Sequence, residues 1–336
     1  MMMKFRLAAV MLTISLYMAV GLYPYHFALP RIAIADNTAA FLPEGGLAFR
    51  PPGPGIARTD EPPPWVASAM ATDHLDIVLR VRPASGQQYG PARIMTLSFD
   101  RRLRNLTVGQ HGADLIFRLR TPRTDLNGTP PIQVAGVFKE TRWTDLMFSV
   151  RPDRLTIKVE GQVVREEDLP ARPLANWDPS FRLALGNEIS NNRQWLGEIE
   201  IARVSTPAMI VDYASGNVLR ISPRIFVSAS DPRLFPLKYL DMHDAVINVL
   251  GFIPLGFLLG LGRRNRKPFF LGLIVVFSTS LTIESLQFFT VNRQPSVDDL
   301  LMNTLGGMLG WIVGRWSASR WIASESGIAR APAPEA

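Results

Sequence analysis

Residues 268–307 read PFFLGLIVVFSTSLTIESLQFFTVNRQPSVDDLLMNTLGG. Nothing from Pro268 to Ile283 is charged, and the apolar run is long enough to cross a bilayer, which takes about 20 such residues. Yet Glu284 and Gln287 lie near its end. Arg293, Asp298, Asp299 and Asn303 follow further along the same stretch. A carboxylate in hydrocarbon costs at least about 2.5–3.5 kcal/mol on insertion scales, so Glu284 is expected to face protein rather than lipid.

Three further segments have span character: 5–29, 244–262 and, interrupted by Arg315 and Arg320, 300–323. The basic residues orient them. Lys4 and Arg6 precede the first span, RRNRK at 263–267 separates the second from the third, and Arg315, Arg320 and Arg330 close the chain. With N- and C-termini cytoplasmic, every short basic cluster falls inside, as the positive-inside rule asks. Residues 30–243 then lie outside. The AIA at 33–35 has the form of a signal-peptidase site, but it stands far beyond the apolar core that ends at Leu22. The first segment is therefore read as a retained helix.

The 336-residue chain carries a formal charge of +7 and no cysteine. Disulfides, thiolate catalysis and cysteine-ligated metals are excluded. The excess charge sits in loops flanking spans, without the aromatic and basic surface motif of a nucleic-acid binder, so no nucleic-acid partner is expected.

The external stretch divides by composition. Residues 36–66 are loop-like, broken by PEGG, RPPGPG and DEPPPW. Period-two runs follow. They place Leu75, Ile77, Leu79 and Val81 on one face, then Leu115, Phe117 and Leu119, then Leu146, Phe148 and Val150, then Leu155, Ile157 and Val159 before a turn at Glu160-Gly161. FRLAL and GEIEIARV complete an antiparallel sandwich. The domain reading is: first helix 5–29; sandwich 36–210; connector 211–242; helices within 243–323 at 244–262, 268–290 and 300–323; cytoplasmic tail 324–336, expected to be disordered.

GLAFRPPGPGIART, WTDLMFSVRPDRLTIKVEGQVV and LALGNEISNNRQWLGEIEIARV resemble the laminin-G-like, or concanavalin A-like, jelly-roll fold over about residues 46–206. The resemblance implies a two-sheet sandwich that binds glycans or proteins, in some relatives with calcium. Strand alternation puts Glu198 and Glu200 on one face. The glucanase motif they echo has a carboxylate where this chain has Arg203, so a charged outer face is preferred to a glycosidase pair. Oxygens of Asp100, Asp125, Asn127 and Glu188 are the type calcium takes, though no spacing specifies a site. No other cofactor or metal is indicated. Trp143, Trp177 and Trp195 are read as core or edge residues before a sugar groove.

In the helical part the polar residues come as pairs on shared faces: Asp244 with Asn248, Glu284 with Gln287, Asp299 with Asn303. All are placed in the outer part of the membrane, with Glu284 about 9 Å from the end of its span at helical rise. Gly251, Gly256 and Gly260 in one helix and Gly306, Gly310 and Gly314 in another permit close approach, and Pro254 is expected to bend the former.

NVLGFIPLGFLLG, IESLQFF, the R-x-x-S-V-D-D-L-L-M-N-T-L-G-G run and the LYPYHF ending of the first span are similar to the VanZ-like family of small membrane proteins. That resemblance implies a four-span α-helical unit of the bacterial cytoplasmic (inner) membrane with a cell-envelope role, extending to glycopeptide tolerance. The sandwich would be inserted in its first extracytoplasmic loop. The site residues expected to bind are Asp244, Asn248, Glu284, Gln287, Arg293, Asp298, Asp299 and Asn303. The partners expected are the lipid bilayer, a lipid-linked glycan or polysaccharide, and other envelope proteins. Recognition is preferred to a structural docking role. Catalysis, with Glu284 or the Asp298/Asp299 pair as general base, ranks behind both, because no nucleophile or metal set accompanies these carboxylates.

Overall fold

The computed structural model describes residues 2–27, 32–216, 218–228, 242–261, 268–290, 293 and 295–328. The RRNRK run and the last eight residues of the tail lie outside the described residues. The chain forms two compact units, one from Met1–Arg31 with Ser230–Ala336, the other from Ile32–Ala229.

The second unit is a β-sandwich. Its strands in chain order are β1 (Ile32–Asp36), β2 (Ala39–Phe41), β3 (Leu47–Phe49), β4 (Ala57–Arg58), β5 (Leu75–Pro83), β6 (Gln88–Ser98), β7 (Arg104–Gly112) and β8 (Asp114–Leu119). They continue as β9 (Ile132–Val134), β10 (Thr144–Val150), β11 (Arg154–Val159), β12 (Gln162–Asp168), β13 (Arg182–Leu185), β14 (Gly197–Thr206), β15 (Met209–Asp212) and β16 (Arg224–Ser228). An eight-stranded sheet runs β12-β11-β10-β5-β14-β3-β2 with β15 beside β14. A six-stranded sheet runs β4-β13-β6-β7-β8-β9, and β1 pairs with β16 as a separate ribbon.

The period-two runs do what their pattern requires. Leu75, Ile77, Leu79 and Val81 are all buried, as are Leu146, Phe148 and Val150 on the neighbouring strand, and Leu155 and Ile157 on the next. Phe117 of the six-stranded sheet stacks on Phe148 of the eight-stranded sheet with centroids 4.7 Å apart, spanning the core. The Glu160-Gly161 turn has both residues at positive φ, 51° and 76°, the twist a two-residue hairpin favours.

Three sequence readings need correction. The loop-like stretch 36–66 holds β2, β3, β4 and the start of an eight-residue helix, α2 (Trp65–Thr72). Trp65, Val66 and Ala69 bury one face of it, and it ends at Asp73 in the left-handed region, whose N–H bonds Ala69 O. The connector 211–242 contains the end of β15 and all of β16. The first helix, α1 (Met2–Leu22), stops well short of residue 29. Pro24 disfavours helical backbone at Tyr23, and Tyr25 takes a positive φ of 62°.

The remaining helices of the first unit are α3 (Met242–Gly260), α4 (Pro268–Gln287) and α5 (Val297–Ile328). α1, α3 and α4 are long and apolar enough to cross a membrane. Val10, Phe252, Leu255, Val276 and Ile283 form their common core. α3 continues through Pro254. Glycine packing joins α3 to α5: a Cβ on Gly256 would lie 2.7 Å from the Gly307 carbonyl carbon, and one on Gly310 would lie 2.9 Å from the Phe257 nitrogen. Gly251 has open space instead, and its carbonyl accepts the Tyr17 hydroxyl.

Candidate functional site

On α4, Ser280, Glu284 and Gln287 follow at the spacing of one helical face and are all buried. Each is tied to another segment. Glu284 Oε2 accepts the Ser296 N–H at 2.8 Å, just before α5 begins. Gln287 Nε2 donates to Gly21 O at 2.9 Å, in the last turn of α1. Asn303 Nδ2 of α5 donates to Ser280 Oγ at 3.0 Å, while Asn303 Oδ1 is buried without a partner. Arg293 Nε donates to Tyr23 O at 2.9 Å. A further strand-like bridge joins Phe27 to Thr290. The short turn after α4 is thereby fastened to the C-terminal end of α1.

Asp298 and Asp299 occupy the first turn of α5, where the helix dipole favours carboxylates. Asp298 is buried, and the Asp299 N–H is 3.4 Å from Ser296 Oγ. Asp299 and Arg293 both lie within Coulombic reach of Glu284. Six of the eight expected residues are thus gathered around the α4–α5 turn. The other two lie on α3. The Asp244 side chain is 66% exposed beside His243, and Asn248 is half-buried with no hydrogen bond to Glu284, Gln287 or Asn303 among the described residues. Sequence reasoning did not foresee the part α1 takes in this cluster through Gly21 and Tyr23. The partners it missed are mostly backbone atoms, Gly21 O, Tyr23 O and Ser296 N, which no residue pattern announces.

In the sandwich, the carboxylates considered for calcium all make bonds within the chain. Asp100 Oδ1 accepts the Arg102 and Leu103 N–H groups at 2.7 and 2.8 Å. Asp125 Oδ1 accepts those of Asn127 and Thr129 at 2.9 and 2.7 Å. Glu188 is fully buried between Arg93, 3.1 Å away, and Arg104, 3.7 Å away, and accepts the Ser98 hydroxyl. Burial, then the neighbouring Arg104 charge, push the Arg93 guanidinium below its ordinary range, while Glu188 pulls it back. Among the described residues no group of three or more His, Asp or Glu is placed to hold a metal ion.

Glu198 and Glu200 lie on the outer face of the eight-stranded sheet and are matched by arginines: Glu198 with Arg50 and Arg82, Glu200 with Arg80 at 2.8 Å. Arg203 pairs with Asp212 at 3.5 Å. Burial raises the Glu198 carboxyl, but hydrogen bonds from Arg82 and Arg50 outweigh it and hold the group below its usual range. Trp195 is fully buried and donates to Gln110 at 2.9 Å, and Trp177 donates to Arg120 O at 2.9 Å. Trp143 lies under the Arg82 guanidinium at 4.9 Å.

An all-antiparallel sandwich, together with a unit of apolar helices that hides carboxylate and amide groups among its turns, defines a membrane protein with a β domain. Residues 197–318 match the family model described as VanZ/LLP1, and the chain carries a VanZ-like domain there. The match begins in β14 and takes in α3, α4 and most of α5. No curated protein matches the sequence. Among solved structures, the Ruminococcus gnavus IT-sialidase CBM40 bound to alpha2,3 sialyllactose is 12% identical with a TM-score of 0.36, covering 53% of this chain and 93% of its own. The heptameric SAP-like pentraxin of Limulus polyphemus is 10% identical with a TM-score of 0.35, covering 59% of this chain and 94% of its own. A carbohydrate esterase from Shiga toxin-encoding bacteriophage phi24B is 13% identical with a TM-score of 0.33, covering 52% and 89%.

Proposed function

We propose that the chain is a four-span protein of the bacterial cytoplasmic membrane that recognises a lipid-linked glycan or another envelope precursor. The polar cluster at the α4–α5 turn takes the precursor's anionic group in the outer leaflet. The sandwich, carried in the first extracytoplasmic loop, binds glycan. α5 is the fourth span, its Arg315 reaching the inner surface. The observation that carries this reading is Arg293. It is fixed through Nε to Tyr23 O, is half-exposed, and makes no ion pair among the described residues. A guanidinium held in that way offers its remaining N–H groups to a phosphate or carboxylate in two-pronged geometry. Binding of an undecaprenyl-linked saccharide to the full chain in nanodiscs, with and without Arg293→Ala, tests it. Undiminished binding by the variant would remove Arg293 from the role.

A second reading has its own support. Glu284, Gln287 and Asn303 all bond protein atoms, and such ties join helices in a membrane at about 0.6–2 kcal/mol each. In that case the cluster is helix glue and the sandwich docks other envelope proteins. Gln287→Met would then lower the melting temperature and leave ligand binding as it was. An enzymatic role, with Glu284, Asp298 or Asp299 as base, stands last. Turnover of a lipid-linked saccharide abolished by Glu284→Gln would be needed to raise it.

A further inference from the structure

The two outer faces of the sandwich handle their arginines differently. On strands of the eight-stranded sheet, Arg80, Arg82, Arg154, Arg165 and Arg203 are all ion-paired. The six-stranded sheet also has five. The register sets them on one face. Leu97, Leu106 and Leu119 lie opposite one another and are buried in the core. The adjacent row, which alternation turns outward, runs Arg58, Ala184, Thr96, Thr107, Arg118 across five strands. The Thr96 and Thr107 hydroxyls meet at 2.9 Å in this row. Arg182, Ser98 and Arg104 form the next row on that face, and Arg93 lies opposite Gly109 beyond it.

Against these five arginines the face sets one bonded carboxylate, Glu188, shared by Arg93 and Arg104. Arg58, Arg118 and Arg182 make no ion pair among the described residues; Asp60 and Asp125 act on Arg58 and Arg118 only from beyond ion-pair distance. A second observation is independent of charge. Arg104 Nε, Arg118 Nε and Asn187 Nδ2 are buried donors with no acceptor, and Arg104 and Asn187 are fully buried. Buried donors normally find acceptors. Ile189 and Ile225 cover the Ala184 end of the row, whereas Arg118 at the other end is half-exposed. Arg193 lies beside Arg93, its carbonyl accepting the Arg93 N–H at 2.9 Å.

We propose that this face, centred on Arg118, binds an acidic saccharide through an oxyanion, with Arg93 and Arg104 supplying positive field from beneath. The inference rests on the reading of the sandwich as glycan-binding and adds the charge class of the glycan. Because Arg93, Arg104, Thr96 and Thr107 are buried, the face does not present a flat, solvent-exposed basic surface, which favours a discrete saccharide oxyanion over an anionic membrane surface.

The test is calorimetric binding by the full chain in neutral-lipid nanodiscs. The probes are oligogalacturonate, a phosphorylated oligosaccharide, neutral dextran and phosphatidylglycerol vesicles. The variants are Arg118→Gln and, as control on the other sheet, Arg203→Gln. Expected is binding of a carboxylated or phosphorylated saccharide that falls about tenfold or more with Arg118→Gln and is unchanged with Arg203→Gln; which probe binds names the oxyanion. Equal binding of dextran, insensitive to Arg118→Gln, would overturn the acidic-ligand proposal while leaving a glycan-binding sandwich. No binding of any saccharide would overturn both. Loss of vesicle binding alone with Arg118→Gln would assign the face to the membrane and overturn the proposal.

Discussion

Replacing Gly256 by alanine should split the α3–α5 contact. The added Cβ would stand 2.7 Å from the Gly307 carbonyl carbon and 2.8 Å from its Cα, with the carbonyl oxygen nearer still. Both neighbours are backbone, so no side chain can swing away. The carbonyl oxygen sets the requirement: to bring it out to the 3.4 Å at which ordinary contact begins, the helices must part by about 1.5 Å there. The separation propagates, because Gly260, Gly306, Gly310 and Gly314 make equally close backbone contacts along the same seam. Overpacking of this kind costs about 1–3 kcal/mol. Helix propensity works the other way, favouring alanine by up to about 1 kcal/mol. Gly251→Ala isolates that second effect, since a Cβ there meets nothing within 4 Å. Thermal unfolding of the full chain in detergent, followed by helical circular dichroism, should show Gly256→Ala several degrees below wild type. Gly251→Ala should be at or above wild type. If the two variants melt together, direct backbone packing of α3 on α5 is wrong.

Glu188→Gln leaves Arg93 and Arg104 buried without a counter-charge and should cost about 3–5 kcal/mol; an unchanged melting midpoint of the sandwich would contradict the buried network. Glu198 has a folded pKa below its ordinary 4.5, so its stabilisation is complete above that value and is lost as pH falls through the lowered one. Glu198→Gln should flatten acid unfolding below pH 4.5 by no more than about 1 kcal/mol, since the pair is partly solvated. Tyr213 is pushed up to about 12 by burial, against the Trp65 N–H that bonds its oxygen at 2.7 Å. The folded state therefore keeps the phenol proton longer than the unfolded, and stability falls as pH rises from about 10 to 12. Tyr213→Phe should abolish that alkaline slope and cost about 1–3 kcal/mol at neutral pH by stranding the indole donor; a retained slope would implicate another group.

Much of this architecture could be read from spacing. The runs at 75–81 and 146–150 alternate cleanly because one side of each faces the core and the other is more exposed; 115–119 and 155–159 keep the pattern except at Ile116, which is buried on the outer side, and Val159, which is only half-buried. β6 and β7 did not show themselves. Their outer face is covered in part, so Thr96, Thr107, Arg93 and Arg104 are buried along with the core residues, and the apolar–polar alternation disappears. β1 and β16 pair across most of the sandwich sequence, a contact that no local pattern encodes. α2 is only two turns long and follows three prolines, so it read as loop. In the helical unit, the apolar runs and glycine spacing were legible, as was the clustering of Glu284, Gln287 and Arg293. What held them was not, because Gly21 O, Tyr23 O and Ser296 N are main-chain groups.

The central claim is recognition of an anionic envelope precursor at the α4–α5 turn. Its most direct measurement is the affinity of the full chain in nanodiscs for an undecaprenyl-diphosphate-linked saccharide, for wild type and Arg293→Ala in parallel. Loss of a charge-assisted, two-pronged contact should weaken binding about tenfold or more, with the melting temperature changed little. Equal affinities for the two proteins, or no binding by either, would contradict the account.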